Sequence, residues 1–189
     1  MDLVIFDIET TGFSHTWSEI IQIAAVRMRD GCLSRDETFS TFIRPARSIP
    51  AFITDITGIT DTDVRDAPCA SEALLSFSRF ADNSLLLGHN ARRFDMPFIR
   101  ASCARLRLSV RQVQFADSLD FSRTIWGGRG GHGLDDIMAR LEITDIAGAR
   151  HTAPGDVSIL AKVVLRMWTQ LSPDFQTCPI FCEWKYLPA

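Results

Sequence analysis

Two carboxylates one residue apart follow an apolar run near the start of the chain, in Leu3-Val4-Ile5-Phe6-Asp7-Ile8-Glu9-Thr10-Thr11-Gly12. Branched and aromatic residues favour a β-strand, and side chains alternate along it, so Asp7 and Glu9 point to the same face. Two like charges at the end of a buried strand repel each other, and a divalent cation offsets that repulsion. Hard oxygen ligands suit Mg²⁺ or Mn²⁺. The alternative, from this stretch alone, is that the acids simply begin a surface turn.

A third carboxylate, Asp95, closes the stretch His89-Asn90-Ala91-Arg92-Arg93-Phe94-Asp95. The stretch lies where a short buried strand over residues 85–88 passes to a helix that we expect over residues 96–106. Ligands bind at such carboxyl ends of strands in open α/β sheets. A single acid at this position is also a common helix N-cap, and the two roles are compatible.

A fourth acid and a histidine open the last long helix, in His151-Thr152-Ala153-Pro154-Gly155-Asp156. Thr152 and Pro154 are typical of a helix start. Asp156 then lies in or near the first turn, where the helix dipole favours a carboxylate. His151 precedes the helix and can swing beside it, although a single histidine is more often structural.

The apolar pattern predicts an α/β fold with a mixed five-stranded sheet, three antiparallel strands plus two parallel, flanked by helices. Second and third strands are expected over residues 20–28 and 38–43, joined by an Asp30-Gly31 hairpin turn. Strands over 85–88 and 113–116 complete the sheet. The strand–helix–strand order implies that they pair in parallel with its centre.

The length of 189 residues predicts one domain. Short helical turns are expected over residues 49–64, an amphipathic helix from Ser71, and another helix that ends at Trp126. We expect the domain to cover residues 1–171. The C-terminal tail, residues 172–189, is expected to be irregular and to pack on the same domain.

Composition excludes several classes of protein. The chain has 189 residues, 46% of them hydrophobic, which permits a buried core and argues against disorder. No apolar run approaches the ~20 residues of a membrane helix, so no membrane association is expected. Five scattered cysteines fit a reducing, cytoplasmic compartment better than a disulfide framework. The net charge of −3 is unusual for a nucleic-acid binder, but nearly all of the 20 basic residues are arginines, which suit phosphate contacts.

The four acids and His151 can meet at one edge of the sheet if the first strand is central. Four carboxylates cannot lie together without cations, so we expect them to hold two divalent cations, Mg²⁺ or Mn²⁺. Two metals about 4 Å apart can bind a phosphodiester, activate a water and hold the leaving oxygen. His151 then accepts the proton of that water, since an imidazole titrates near neutral pH.

Three ordered motifs resemble those of the DEDDh 3′–5′ exonucleases, which have an RNase H-like fold. They are Asp7-x-Glu9-Thr-Thr-Gly12, His89-Asn90 with Phe94-Asp95, and His151-x-Ala153-x-x-Asp156. The resemblance covers residues 3–170 in the right order and spacing. Residues 87–97 and 151–157 look most like the three-prime repair exonuclease branch. Thr10 looks more like the polymerase proofreading exonucleases, and Pro154 departs from the leucine of many relatives.

The resemblance implies an exonuclease domain over residues 1–171 and roles for individual side chains. The metal ligands that it implies are Asp7, Glu9, Asp95 and Asp156, which also belong to the catalytic set, and the base is His151. The residues that it leads us to expect at the substrate are Thr10, Thr11, Gly12, Phe13, His89, Asn90 and Arg92.

We therefore expect a metal-dependent 3′–5′ exonuclease that hydrolyses phosphodiester bonds at nucleic-acid 3′ ends and releases nucleoside 5′-monophosphates. DNA with single-stranded or frayed ends is the expected substrate, because the terminal nucleotide must reach a recessed cluster. A homodimer through the third strand and a polymerase or repair partner are further expectations. The alternatives are a polymerase-associated proofreading or accessory module, and an exonuclease that trims short oligonucleotides or RNA.

Overall fold

The computed structural model describes residues 1–144 and 151–189, which form a six-stranded mixed sheet with helices on both faces. The strands are β1 (Asp2–Thr10), β2 (Ile20–Arg29), β3 (Cys32–Phe42), β4 (Leu85–Gly88), β5 (Val110–Asp117) and β6 (Glu183–Pro188). The helices are α1 (Ala51–Thr57), α2 (Asp61–Val64), α3 (Ala70–Ala81), α4 (Asp95–Leu106), α5 (Ser118–Trp126), α6 (Leu134–Arg140) and α7 (Ala153–Leu171).

The five predicted strands are confirmed, with β1 at the centre of the order β3-β2-β1-β4-β5-β6. β1, β2 and β3 form the antiparallel meander, and β4 and β5 add in parallel on the other side of β1. Asp30 and Gly31 form the β2–β3 turn with φ of 47° and 79°. Positive φ at both positions is the type I′ geometry that Asp-Gly favours.

The C-terminal tail differs from the prediction, because residues 183–188 form β6 instead of irregular chain. β6 pairs antiparallel with β5 and covers the edge that β5 otherwise exposes. Trp184 and Tyr186 alternate with the charged residues Glu183 and Lys185, and this period of two was the sequence signal for a strand.

Two apolar layers cover the faces of the sheet. On one face Phe6 of β1 packs with Phe77 of α3 and the residues of α4. On the other face Ile5 belongs to a cluster with Trp168 of α7. Both faces of β1 are therefore buried, which explains its continuous apolar run and fixes the position at which its carboxylates emerge.

The described part of the chain contains neither a membrane-spanning helix nor a disulfide bond. Within residues 1–144 and 151–189 no helix is long and apolar enough to cross a membrane. All five cysteines are free thiols, of which Cys103 is buried and Cys32 is exposed.

Candidate active site

Three carboxylates lie together where β1 ends and α7 begins. Asp7 and Glu9 occupy alternate positions of β1 and so share one face, and Asp156 lies in the first turn of α7. Carboxylate oxygens of the three residues all lie within 4.8 Å of one another. All three residues are half-buried, so a ligand can reach them. Hard oxygens at this separation fit a shared divalent cation.

Gln22 of β2 holds the start of α7 against these acids. It lies opposite Glu9 in the β1–β2 ladder, and its Oε1 accepts a hydrogen bond from the backbone N–H of Ala153 at 3.1 Å. Thr152 caps the same turn, since its hydroxyl accepts a bond from the N–H of Gly155 at 3.3 Å. Sequence reasoning did not single out Gln22. The available signal was one polar residue within the otherwise apolar stretch Ile20–Val26 of β2.

Asp95 lies beside this cluster and is bonded to the backbone of β1. It is the first residue of α4, and its Oδ1 accepts a hydrogen bond at 3.2 Å from the N–H of Ile8, between Asp7 and Glu9. Burial, followed by the charge of Asp117, raises the pKa of Asp95 to about 7. A nearby cation favours the ionised form of such a buried acid. Among the described residues, the carboxylates within 4.8 Å of one another do not include Asp95.

Asp117, the last residue of β5, organises the loop between β4 and α4. Its Oδ1 accepts hydrogen bonds from the N–H groups of Asn90 at 2.9 Å and Leu119 at 3.0 Å. Its Oδ2 accepts one from the N–H of Arg92 at 2.9 Å. Asn90 adopts a left-handed φ of 57°, which asparagine tolerates. Sequence reasoning missed Asp117, although an aspartate between a strand and a helix is a recognisable N-cap signal.

The side chains of His89 and Arg92 both contact α5. His89 Nδ1 lies 2.8 Å from Ser118 Oγ. The guanidinium of Arg92 donates to Asp120 at 2.7 Å and, through Nε, to Glu183 of β6. The hydrogen bond to Asp120 is the main cause that raises the pKa of Arg92, so the side chain stays charged. Arg92 thus ties the loop to α5 and β6, and a substrate phosphate must compete with two carboxylates for it.

The residues that follow the β1 acids begin a loop. Thr10 is buried, and its hydroxyl donates to the carbonyl oxygen of Gly12 at 2.6 Å. The hydroxyl of Thr11 accepts a bond from the N–H of Glu19 at 2.9 Å. These bonds hold the loop entrance close to the acid cluster.

Phe13 presents an open aromatic surface at this entrance. Its side chain is 71% exposed, and its ring centroid lies 6.2 Å from that of Phe52 on α1. Phe52 is also exposed. The two rings offer apolar surface to a ligand that reaches the end of β1.

His151 stands immediately before Thr152, the N-cap of α7, and its side chain is exposed. Its φ is 61°, a left-handed conformation that is uncommon for residues other than glycine but enriched for histidine. Asp156 follows in the first turn of the same helix. The imidazole is therefore accessible to a substrate and lies close in sequence to one of the clustered acids.

Comparison with known sequences identifies the family. The model of the Exonuclease family, RNase_T, matches residues 4–164. A DNA polymerase III subunit epsilon-like protein of Rhodobacter capsulatus is 39% identical over 168 residues, which cover 88% of this chain and 24% of that protein. A DNA polymerase III PolC-type protein of Caldanaerobacter subterraneus is 35% identical over 170 residues, which cover 90% of this chain and 12% of that protein. The chain thus spans a quarter or less of the length of these curated relatives.

Solved structures share the fold. The nuclease domain of 3′hExo, a DEDDh family member bound to rAMP, matches with a TM-score of 0.79 and 18% identity, covering 97% of this chain and 96% of that one. Exonuclease X in complex with 5′ overhanging duplex DNA matches with a TM-score of 0.71 and 22% identity, covering 89% and 92%. These similarities confirm the predicted RNase H-like fold. The family implies a dependence on divalent metal ions, which the clustered carboxylates fit, and this chain belongs to the exonuclease family.

Proposed function

We propose that this chain is a 3′–5′ exonuclease that uses divalent metal ions to hydrolyse phosphodiester bonds and releases nucleoside 5′-monophosphates. The observation that carries the proposal is the group of Asp7, Glu9 and Asp156, whose carboxylate oxygens lie within 4.8 Å of one another. Membership of the exonuclease family supports hydrolysis from a strand end.

The roles that we assign follow from position and chemistry. Asp7, Glu9, Asp95 and Asp156 hold two cations, Mg²⁺ or Mn²⁺. When bound, the cations supply neutralisation of phosphate charge and activation of water. His151 accepts a proton from the attacking water, and its exposed position permits that approach.

We assign the 3′-terminal nucleotide to the loop entrance after β1. The residues assigned to it are Thr10, Thr11, Gly12 and Phe13, with His89, Asn90 and Arg92 beside the neighbouring strand end. Backbone groups and an aromatic ring read no base sequence, so we expect little nucleotide selectivity. Arg92 reaches a phosphate only by giving up a bond to Asp120 or Glu183.

DNA with single-stranded or frayed 3′ ends is the substrate that we propose, and RNA is the alternative. Two relatives are named as DNA polymerase III proteins, and one solved neighbour holds duplex DNA. Another neighbour is bound to rAMP, which keeps RNA open as a substrate.

A time course on 5′-labelled oligonucleotides of equal length tests these points. DNA and RNA, single-stranded and duplex, are compared with magnesium, with manganese and with a chelator. A ladder that shortens from the 3′ end only when metal is present supports the proposal. Intact strands, or identical degradation by Asp156→Asn, would overturn it. Asp36→Asn, on the exposed part of β3, is the matched control.

A polymerase partner is a second proposal, favoured because the two relatives described above are named as DNA polymerase III proteins and are much longer than this chain. Co-purification with the polymerase subunits of the source organism tests it.

A homodimer through β3, which lies at one end of the sheet, stays a prediction that light scattering checks. We also propose that residues 172–189 pack on the domain of residues 1–171, since β6 pairs with β5.

A further inference from the structure

The loop after β1, residues 11–19, is closed at its neck. The N–H of Thr11 donates to the carbonyl oxygen of Glu19 at 2.8 Å. The N–H of Glu19 donates back to the hydroxyl of Thr11 at 2.9 Å. The neck begins two residues after Glu9, so the entrance of the loop lies beside the acid cluster.

The interior of the loop is also ordered by its own backbone. The N–H groups of Trp17 and Ser18 both donate to the carbonyl oxygen of Ser14, at 3.1 Å and 2.8 Å. A Cβ at Gly12 would come within 2.7 Å of Ser18 Oγ, so the chain folds back tightly on its first residues. These hydrogen bonds fix the backbone position of Trp17 within the loop.

Arg105 of α4 fixes this loop to the body of the protein. Its guanidinium donates to the carbonyl oxygens of His15 at 3.0 Å and Ser18 at 3.2 Å, with a longer contact to that of Thr16 at 3.4 Å. These carbonyls lie on both sides of Trp17. The backbone that carries Trp17 is thus held by bonds that do not involve its ring.

The indole of Trp17 is 80% exposed. Phe13, four residues earlier, is 71% exposed, and Phe52 lies beside Phe13. Single exposed aromatic residues are ordinary, but here two aromatic side chains share one compact, anchored loop beside a proposed catalytic cluster. A ring on an ordered backbone binds a ligand at a lower entropic cost than a ring on a mobile loop.

We propose that Trp17 stacks on a base of the substrate strand beyond the 3′-terminal nucleotide, and that Arg105 is its positioning residue. The inference rests on the proposed function, because it needs a strand whose 3′ end lies at the acid cluster. Phe13 is assigned to the terminal nucleotide, so a ring further along the same loop meets a following base. Stacking suits this task because every base presents a flat face, whatever the sequence.

Equilibrium binding tests the proposal without relying on turnover. A single-stranded, 5′-fluorescein DNA with phosphorothioate linkages at its 3′ end is titrated in magnesium and followed by anisotropy. Trp17→Ala should raise Kd about tenfold, and Trp17→Phe should restore most of the affinity. Trp184→Ala, a 61% exposed tryptophan on β6, is the matched control and should bind as the parent does. Equal Kd values for Trp17→Ala and the parent would overturn the proposal. The exposed ring would then be assigned to contact with a protein partner.

Kinetics separate this inference from the proposed function. The p-nitrophenyl ester of thymidine 5′-monophosphate presents one nucleotide only, so its hydrolysis by the parent reports the catalytic centre. For Trp17→Ala, the ratio of kcat/KM on the oligonucleotide to kcat/KM on the ester should fall about tenfold, mainly through KM. An unchanged ratio would overturn the stacking role even if the parent is active. An inactive parent would overturn the proposed function, and the anisotropy result would still decide the inference.

A double-mutant cycle tests the role of Arg105. Arg105→Ala should weaken oligonucleotide binding in the same direction as Trp17→Ala but by less, because the ring remains. The double variant should bind no more weakly than Trp17→Ala alone, since the two residues act as one unit. Additive losses would show that Arg105 acts independently of Trp17.

Discussion

The three clustered acids and Asp117 lie at the same edge of the sheet but differ in their surroundings. Asp7, Glu9 and Asp156 are half-buried, and their oxygens lie within 4.8 Å of one another. Asp117 is fully buried and receives three backbone N–H groups at 2.9 to 3.0 Å. The first arrangement concentrates negative charge where a ligand can reach it. The carboxylate of Asp117 instead holds the loop between β4 and α4 through hydrogen bonds.

The three clustered acids are half-buried and lie close to one another, whereas the buried carboxylate of Asp117 accepts three backbone N–H groups. This difference separates a candidate ligand site from a structural acid. Arg92 is a basic residue whose charge is likewise held by partners within the protein. Sequence reasoning assigned Arg92 to the substrate, whereas its guanidinium bonds to Asp120 and Glu183 in the structure. Its contact with a substrate remains a prediction.

The largest effect should come from Asp156→Asn or Asp7→Asn. Hydrolysis of a labelled oligonucleotide should fall on the order of 10³-fold or more, because the change removes a charged metal ligand. The free energy of unfolding in chelator should stay equal or rise, since fewer like charges then lie together. Initial rates and urea titrations measure the two quantities. Retained activity in either variant would mean that the clustered acids do not form the metal site, and their contrast with Asp117 would no longer hold.

His151→Asn should slow hydrolysis by about 10²- to 10⁴-fold, which is the usual contribution of a general base. Asparagine tolerates the left-handed φ of 61° at this position, so the fold should be preserved. Initial rates on the labelled oligonucleotide measure the loss. A variant that hydrolyses at the rate of the parent would exclude the base role.

Asp117→Asn should act chiefly on stability. Its amide group presents N–H donors where the carboxylate accepts, so at least one of three buried bonds is lost. The expected cost is about 1–3 kcal/mol in the free energy of unfolding, measured by urea titration. Its activity should fall less than that of Asp156→Asn. The reverse order would mean that Asp117 belongs with the ligand site.

The smallest effect is the thermal shift on adding magnesium. The parent should gain a few degrees in Tm, because the cation binds the folded acid cluster and not the unfolded chain. Asp117→Asn should keep this shift, whereas Asp156→Asn should lose most of it. Equal shifts in both variants would indicate that magnesium binds elsewhere.

Local patterns in the sequence determined much of this protein. The alternation of Asp7 and Glu9, the Asp30-Gly31 turn and the start of α7 at Thr152 all depend on neighbouring residues. Such features are predictable because side-chain periodicity and capping act within a few positions. The missed strand β6 carried the same kind of signal in its alternating residues.

Only the tertiary structure decided which polar residues act together. Gln22 bonds to the start of α7 across 131 positions, and Arg105 reaches the loop carbonyl of His15 across 90. Asp117 likewise finds Arg92 on a different element. None of these partners follows from local pattern, because a hydrogen bond depends on which segments the packing of the sheet and helices brings within about 3 Å.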